Sequence, residues 1–215
     1  FLTATIAWGQ RVTIINNAKK MMKHMGSSPH DFIMTAKEKD LKRFNDFVHR
    51  TFNGVDAVFF MKSLQHMYKK HGGLQAAFIP TSGTKKEMDL LQSIMNFREV
   101  FFSLPYPSRT GKHVSNPAEN SSAKRLCMYL RWMVRKDKRG VDFGIWNSAR
   151  LSSKHLMCPL DVHSGNVARK LGLLNRAQND WKAVEELTAR LRMFDVQDPV
   201  KYDFALFGLG VFEKF

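Results

Sequence analysis

Apolar residues recur at spacings of three and four along most of this 215-residue chain, which is the period of an amphipathic α-helix. The first segment, 2–22, predicts one long helix with a weak point at Gly9, because glycine is a poor helix former. No stretch alternates between apolar and polar residues as a half-buried β-strand does. We therefore expect an all-α protein of about ten helices.

Capping residues mark the expected helix boundaries. The Ser-Pro pair at 28–29 and the Asp-Pro pair at 198–199 are typical of an N-cap followed by the first helical residue, and Asp161 and Asp180 are typical N-caps. The predicted helices are 29–34, 55–68, 85–102, 121–135, 162–174, one after Asp180 and a final one after Pro199. In the final helix we expect four residues to face the core: Val200, Phe204, Phe207 and Val211.

The length fits one ordinary domain or two small lobes that share a cleft. We expect a single all-α domain, 1–215, with one lobe at about 4–135, a second at about 142–215, and a central cleft. A Pro-bearing loop at 104–117 and a turn around Gly140 are the places where such a cleft could open. The chain begins at Phe1, inside an amphipathic segment, so we expect the natural N-terminus to lie upstream.

The charge balance points to a polyanionic partner. The chain has 34 Lys and Arg against 19 Asp and Glu, a formal net charge of +15, and 44% hydrophobic residues. Such apolar content excludes intrinsic disorder, and no apolar run is long enough to cross a membrane. Nucleic acid is the first candidate partner and an acidic membrane surface the second, while a basic protein with no such partner remains the alternative.

Searches for common catalytic and metal motifs exclude several classes of site. The sequence has no Gly-rich phosphate loop ending in Lys-Ser or Lys-Thr, no Cys-x-x-Cys and no His-Glu-x-x-His. The two cysteines, Cys127 and Cys158, are too few for a disulfide scaffold or a four-cysteine cluster and are expected to be small core residues. We expect no metal and no cofactor.

Lys124 is one of two residues whose position suggests chemistry. It lies in the first turn of the predicted helix 121–135, where the helix dipole disfavours an ammonium. Burial beside apolar neighbours would also lower the pKa of an amine, and both effects make a lysine a better nucleophile. The alternative is that Lys124 points into solvent.

Asp161 is the second such residue. As an N-cap it accepts backbone N–H bonds, which favour the ionised carboxylate, and a fixed carboxylate stabilises a developing positive charge. The alternative is that Asp161 is only a cap. His163, Arg169 and Lys170 beside the same helix N-terminus suit a phosphate, or they form a solvated basic face.

The segment Pro159–His163 resembles the Pro-x-Asp-Val-His stretch of the helix-hairpin-helix DNA glycosylases, especially the 8-oxoguanine DNA glycosylases. The resemblance implies that Asp161 and a preceding lysine, Lys124, are catalytic. Asp203–Phe207 is similar to the C-terminal helix whose Asp203 and Phe207 positions line the base pocket. In the early helix 2–22, Gln10 matches the residue that fills the gap left by a flipped base, and Arg11 beside it is expected to contact DNA.

Nearly the whole chain resembles a bacterial family of uncharacterised activity within this superfamily. Its hallmarks match Ala123–Leu126, Leu130–Arg135, Gly140–Trp146 and Asp198–Gly208. Three features depart from the superfamily. The usual hairpin before the lysine is replaced by 116–122, the iron–sulfur cysteines are missing, and Asp203 stands where oxidised-guanine enzymes carry glutamine.

The resemblance implies a two-lobed DNA glycosylase fold and a repair enzyme that excises an oxidised purine such as 8-oxoguanine. Lys124 would attack C1′, expel the base and form a Schiff base, and elimination would then nick the strand. Such an enzyme would act as a monomer on lesion-bearing DNA in the bacterial cytoplasm, at the nucleoid, and not on a membrane. The alternatives are a non-catalytic nucleic-acid-binding protein with the same fold, or an interaction protein with no nucleic-acid role.

Overall fold

The computed structural model describes residues 1–79 and 88–215, and it is mostly helical, with 61% helix and 3% strand. The largely all-α class expected from the sequence is confirmed. The α-helices are α1 Leu2–Thr5, α2 Arg11–His24, α3 Pro29–Thr35, α4 Glu38–Leu41, α5 Gly54–Lys70, α6 Gly73–Phe78, α7 Leu90–Phe101, α8 Lys124–Val134, α9 Val162–Lys170, α10 Trp181–Phe194 and α11 Asp203–Val211. Short 3₁₀ helices lie at Lys42–Phe44, Ser108–His113, Pro117–Glu119, Ser153–His155 and Pro199–Tyr202.

A small β-hairpin contradicts the expectation that the chain has no strand. Strands β1 (Val48–His49) and β2 (Phe52–Asn53) pair antiparallel, and the turn between them places Arg50 in the left-handed region, with φ of +55°. Each strand has two residues, which is too short for an alternating pattern to be recognised in the sequence.

The described residues form two compact units, of which the first comprises 1–79 and 96–114. An aromatic core fills this unit: Phe60 packs against Phe101 with ring centroids 4.8 Å apart, and Phe78 stacks on Phe97 at 4.2 Å. Such ring pairs contribute beyond the apolar area that they bury.

Asp56, in the first turn of α5, is the buried polar anchor of the first unit. Its Oδ1 accepts a hydrogen bond of 2.8 Å from the Thr110 hydroxyl, and its Oδ2 accepts one of 2.9 Å from the backbone N–H of Asn53. His113 Nε2 and Arg109 Nη2 lie 3.2 Å and 3.4 Å from Oδ2. A fully buried carboxylate is stable only with partners of this kind.

The second unit comprises 88–95 and 115–215 and contains helices α8 to α11. α11 packs closely on α9, since a Cβ at Gly210 would lie 3.0 Å from the carbonyl oxygen of His163. Cys127 and Cys158 are fully buried in this unit, as expected from the sequence. Burial raises the pKa of the Cys127 thiol to about 12, so it is a protonated core residue.

Several predicted helix boundaries shift. The expected helix 2–22 is interrupted between α1 and α2, where Gly9 has φ of +97°, a conformation that other residues rarely adopt. The helix expected at 121–135 begins only at Lys124, and the one expected at 162–174 ends at Lys170. Of the helix expected at 85–102, residues 85–87 lie outside the described residues.

The prediction that four residues of the final helix face the core is wrong in part. Pro199 opens a 3₁₀ turn and α11 starts at Asp203; Val200 is buried, whereas Phe207 and Val211 are partly exposed. Phe204 is 48% exposed, and one face of its ring lies on the guanidinium of Arg131, whose Cζ is 4.2 Å from the ring centroid.

The division into units also differs from the lobes expected at 4–135 and 142–215. α8 belongs to the second unit, because its side chains pair with residues much later in the chain, including Asp161 and Asp203. The two-lobed glycosylase fold with a central cleft stays a prediction. No helix within 1–79 or 88–215 has the length and apolar character needed to cross a bilayer.

Candidate active site

Lys124 and Asp161 meet in the second unit, although 37 positions separate them in the sequence. Lys124 is the first residue of α8 and Asp161 is the N-cap of α9. The Lys124 Nζ donates a hydrogen bond of 2.5 Å to Asp161 Oδ2, and the two side chains are 36% and 19% exposed. The result is a charge-assisted pair whose lysine remains open to solvent. Both residues lie in one unit.

The α9 cap fixes the Asp161 carboxylate. Its Oδ1 accepts hydrogen bonds from the backbone N–H and the hydroxyl of Ser164, at 2.9 and 3.1 Å, and the Ser164 hydroxyl accepts one of 3.0 Å from the Asp161 N–H. One carboxylate oxygen therefore serves the cap and the other holds Lys124. Burial opposes ionisation, but the bonds from Lys124 and Ser164 outweigh it, so the pKa of Asp161 lies below its ordinary value.

Arg169 and Asn179 support the backbone of Asp161. Asn179 Nδ2 donates to the Asp161 carbonyl oxygen at 3.1 Å, and Arg169 Nη2 donates to Asn179 Oδ1 at 2.6 Å. Gly165 makes room for this contact, because a Cβ there would lie 2.8 Å from Asn179 Oδ1. Arg169 thus has a structural part that the sequence did not indicate, and its expected contact with DNA stays a prediction.

The backbone that leads into Lys124 has an unusual conformation. Ala123 is fully buried with φ of +46°, in the left-handed region that costs a residue other than glycine about 1–2 kcal/mol. The Ser121 hydroxyl accepts a 3.1 Å bond from the Ala123 N–H, and the Ser122 hydroxyl donates a 3.1 Å bond to the Leu160 carbonyl oxygen. The Ser122 bond connects the segment that replaces the superfamily's hairpin to the segment that precedes Asp161.

An aromatic wall stands beside the lysine. Lys124 Nζ lies 5.6 Å from the ring centroid of Phe207, within the range of a cation–π contact, and the His163 ring meets Phe207 edge-on at 6.2 Å. Phe207 is partly exposed and so is not part of the sealed core, and His163 is exposed. The site therefore contains a half-open aromatic face next to an amine.

Behind this wall lies a buried ion network that the sequence did not indicate. Arg131, 2% exposed, donates from Nη1 to Asp203 Oδ2 and from Nε and Nη2 to Asp142 Oδ2, the last two at 3.1 Å. Arg135 bonds Asp142 Oδ2 at 2.7 Å and both oxygens of Asp198 at 2.9 and 3.0 Å. The one available signal was an arginine on the apolar face of α8.

Asp203 is a carboxylate of this network whose pKa departs from its ordinary value. Burial raises the pKa of Asp203 to about 6, although the charge of Arg131 acts in the opposite direction. Arg131 compensates incompletely because it also serves Asp142. Among the described residues no hydrogen bond reaches Asp203 Oδ1, so this oxygen is available to a ligand.

Gln10 and Arg11, the expected DNA contacts of the early helix, lie in the first unit. Gln10 is the N-cap residue of α2 with an extended backbone, Arg11 is the first residue of that helix, and both side chains are exposed. Their contact with DNA stays a prediction.

A comparison with known protein families identifies the family of the chain. The model of the family described as protein of unknown function (DUF2400) matches residues 1–212. The chain belongs to the DUF2400 family. No curated protein and no solved structure matches this DUF2400 chain.

The candidate active site of this DUF2400 protein contains a lysine, two carboxylates and an aromatic ring. In the part of the chain that the structure describes, no group of three or more His, Cys, Asp or Glu side chains is placed to hold a metal ion. The arrangement suits amine chemistry, because it combines a solvent-accessible lysine amine, a fixed carboxylate that accepts a hydrogen bond from this amine, and a nearby carboxyl whose pKa burial raises to about 6.

Proposed function

We propose that this DUF2400 protein is a DNA glycosylase with associated AP lyase activity that uses Lys124 as its nucleophile. The observation that carries the proposal is the 2.5 Å contact between Lys124 Nζ and Asp161 Oδ2, in a site where the lysine is 36% exposed. The resemblance of Pro159–His163 to the glycosylase motif supports the same assignment.

The first step is a proton transfer followed by attack on the sugar. Asp161 Oδ2 accepts a proton from the Lys124 ammonium, which frees the electron pair of the amine. That pair forms a bond to C1′ while the bond between C1′ and the base breaks. The electron pair of the broken bond leaves on the base nitrogen, which takes up the proton from Asp161.

The second step forms the Schiff base. The nitrogen of the adduct releases its extra proton, the sugar ring opens with a proton added to the ring oxygen, and an iminium joins Lys124 to C1′. Asp161, ionised again, lies beside this positive charge, and the Ser164 cap holds it there. Loss of a proton from C2′ and departure of the 3′ phosphate then nick the strand.

The base would be held by Phe207 and Asp203. The partly exposed ring of Phe207 offers a stacking face next to the amine, and Asp203 Oδ1 offers an acceptor for an N–H donor. An oxidised purine such as 8-oxoguanine has such a donor, which guanine lacks. The formal charge of +15 favours duplex DNA as the carrier of the lesion, and we place the protein, as a monomer, at the bacterial nucleoid.

Borohydride trapping tests this proposal. The protein is mixed with duplexes that each carry one lesion, an abasic site or no lesion, and borohydride reduces any iminium to a stable covalent adduct. We expect an adduct with the abasic duplex and with at least one oxidised purine. Binding to every duplex without an adduct would instead support a non-catalytic nucleic-acid-binding protein, and no binding to any duplex would contradict both.

A further inference from the structure

The segment 136–145, between α8 and the 3₁₀ helix at Ser153–His155, exposes three apolar side chains to solvent. Val141 is 37% exposed, Phe143 56% and Ile145 68%. Buried Asp142 and Trp146 flank these residues, so the segment presents alternate side chains outward from a fixed base. Clustered exposed apolar side chains on a folded protein mark an interaction site.

The base of this loop is tied to α8 by hydrogen bonds and ion pairs. The backbone N–H of Phe143 bonds the Trp132 carbonyl oxygen at 2.7 Å, and that of Trp146 bonds the Met133 carbonyl oxygen at 2.8 Å. Asp142, fully enclosed, accepts from both Arg131 and Arg135. A loop held at its base in this way presents its exposed side chains at little entropic cost on binding.

The same loop is positively charged at its tip. Lys136, Lys138 and Arg139 are exposed, and among the described residues no ion pair joins Lys138 or Arg139. The two acidic residues of the loop are engaged inside it, Asp142 by two arginines and Asp137 by Arg135 at 3.7 Å. Cations next to exposed Phe and Ile match a ligand with both phosphates and flat apolar surfaces.

Arg131 links this loop to the candidate active site. It binds Asp142 at the base of the loop and Asp203 beside Phe207, and its guanidinium lies under the exposed ring of Phe204. Lys124 starts α8 and the loop follows the end of this helix, which has 11 residues and so measures about 16 Å. At 3.4 Å per base pair, that length corresponds to about five base pairs of duplex DNA.

We infer that the 136–145 loop is a DNA-binding wedge. Lys138 and Arg139 contact phosphates. Phe143 and Ile145 contact a base step about five base pairs from the nucleotide that is held at Lys124. Apolar side chains that enter a base step unstack it and help to bend the duplex. The inference rests on the proposed function for its partner, since the loop shares Arg131 with the site of that function. An acidic membrane is the competing partner for a basic, apolar loop.

The first experiment measures binding of the full chain to a duplex that carries a tetrahydrofuran abasic analogue, by fluorescence anisotropy. Phe143→Ala combined with Ile145→Ala should raise Kd about tenfold and leave its salt dependence unchanged, since stacking is not electrostatic. Phe212→Ala is the matched control, because Phe212 is 76% exposed in the same unit but outside the loop. An equal loss in the control would overturn the inference.

The second experiment separates local contacts from overall charge. Lys138→Ala with Arg139→Ala removes two positive charges from the loop, and Lys182→Ala with Arg190→Ala removes two from exposed positions on α10. Only the loop pair should reduce the slope of log K against log salt, by about two phosphate contacts. Equal slopes for the two double variants would show that the loop makes no specific phosphate contact.

The third experiment locates the wedge. 2-Aminopurine, which fluoresces when unstacked, is placed at each of the eight positions on either side of the abasic analogue. Fluorescence should rise about five base pairs away on one side and not in the Phe143→Ala protein. Loss of binding to phosphatidylserine vesicles in the loop variants, with DNA binding intact, would assign the loop to membranes and overturn the inference.

These readouts are independent of catalysis. Loop-dependent DNA binding without a borohydride adduct would leave the wedge standing and reject the proposed enzyme. An adduct formed equally well by wild type and loop variants, with unchanged Kd, would support the enzyme and reject the wedge.

Discussion

Two carboxylates near helix starts, one in each unit, differ in how completely their oxygen atoms are enclosed by the protein. Asp56 at the start of α5 is fully buried, and Asn53, Thr110, His113 and Arg109 surround both of its oxygens. Asp161 at the start of α9 is 19% exposed; its cap occupies one oxygen, and the other faces a lysine that solvent reaches.

The difference separates a structural carboxylate from the one that is proposed to take part in a reaction. Asp56 has no oxygen left for a ligand, and its partners are tied to the core and loops of the first unit. Asp161 is held as firmly on one side but is incompletely enclosed on the other, so a ligand could displace Lys124 or react with it. Firm support combined with an open partner is the arrangement expected of a preorganised site.

The largest effect is expected on adduct formation, from a substitution of Lys124, the solvent-accessible partner of Asp161. Lys124→Ala removes the only amine that contacts Asp161 in the described residues, and adduct formation with an abasic duplex should fall at least about a thousandfold. DNA affinity should change less than about threefold, because phosphate contacts dominate it. Borohydride trapping and anisotropy measure the two quantities. Lys182→Ala is the control, and an unchanged adduct yield in Lys124→Ala would refute the Schiff-base mechanism.

The enclosed carboxylate should instead control stability. Asp56→Ala leaves the Thr110 hydroxyl and the Asn53 backbone N–H without their acceptor and removes the negative charge beside Arg109, so we expect a loss of about 3–5 kcal/mol in the free energy of unfolding. Urea denaturation measures this. Glu38→Ala breaks the exposed 2.8 Å pair with Lys62 in the same unit and should cost less than about 1 kcal/mol. Similar losses of unfolding free energy for Asp56→Ala and Glu38→Ala would contradict the structural role assigned to Asp56.

Asp203 is less enclosed than Asp56 but more enclosed than Asp161, and we expect its contribution to stability to depend on pH. Its folded pKa of about 6 exceeds the ordinary value of 3.8, so the unfolded chain loses this proton first as pH rises. The stability that Asp203 contributes at low pH should therefore be lost between about pH 4 and pH 6, up to about 3 kcal/mol at about 1.4 kcal/mol per pKa unit. The measured quantity is the difference in unfolding free energy between wild type and Asp203→Asn. Parallel pH curves would contradict the raised pKa.

The smallest expected stability effect is at Asp161. Asn caps helices about as well as Asp, and a partly exposed ion pair contributes little, so Asp161→Asn should change the unfolding free energy by about 1 kcal/mol or less. Adduct formation should nevertheless slow about a hundredfold, since the amide neither accepts the Lys124 proton nor stabilises the iminium. If Asp161→Asn unfolds the protein but leaves the rate of adduct formation unchanged, Asp161 is the structural carboxylate, as Asp56 is expected to be.

The starts of α9 and α10 were predictable because capping chemistry is local. Asp161 and Asp180 each accept a backbone N–H three residues ahead, from Ser164 at 2.9 Å and Ala183 at 3.0 Å. The start of α3 was also predicted, but the Ser28 hydroxyl donates to Asp31 at 2.6 Å rather than accepting a backbone N–H. Which neighbour a short polar side chain chooses depends on its rotamer, which a pattern of residue types does not specify.

The ion network was not predictable because its members are far apart in the sequence. Arg131 lies 11 positions from Asp142 and 72 from Asp203, and its place on the apolar face of α8 does not specify which carboxylates it contacts. The exposure of Phe204 was not predictable either, because the apolar spacing placed this residue inside, whereas its ring lies on the Arg131 guanidinium and is 48% exposed.

The meeting of Lys124 and Asp161 was expected from the family resemblance and from the position of each at a predicted helix start, on either side of the turn around Gly140. Spacing and capping identified each residue as a candidate by itself, and no local rule joins the start of α8 to the start of α9. The supporting bonds from Asn179 and Ser164 depend on how α9 and its neighbouring loops pack, so only the three-dimensional structure reveals them.

The two buried thiols make the protein convenient for site-directed labelling. Cys127 and Cys158 are the only cysteines of the chain, both are fully enclosed, and a thiol with a pKa of about 12 reacts slowly with maleimides at neutral pH. A single introduced cysteine, such as Ser148→Cys at an exposed position, would therefore be the one site that a fluorophore or spin label modifies. Distances and motions of chosen segments can be followed in this way in the otherwise native sequence.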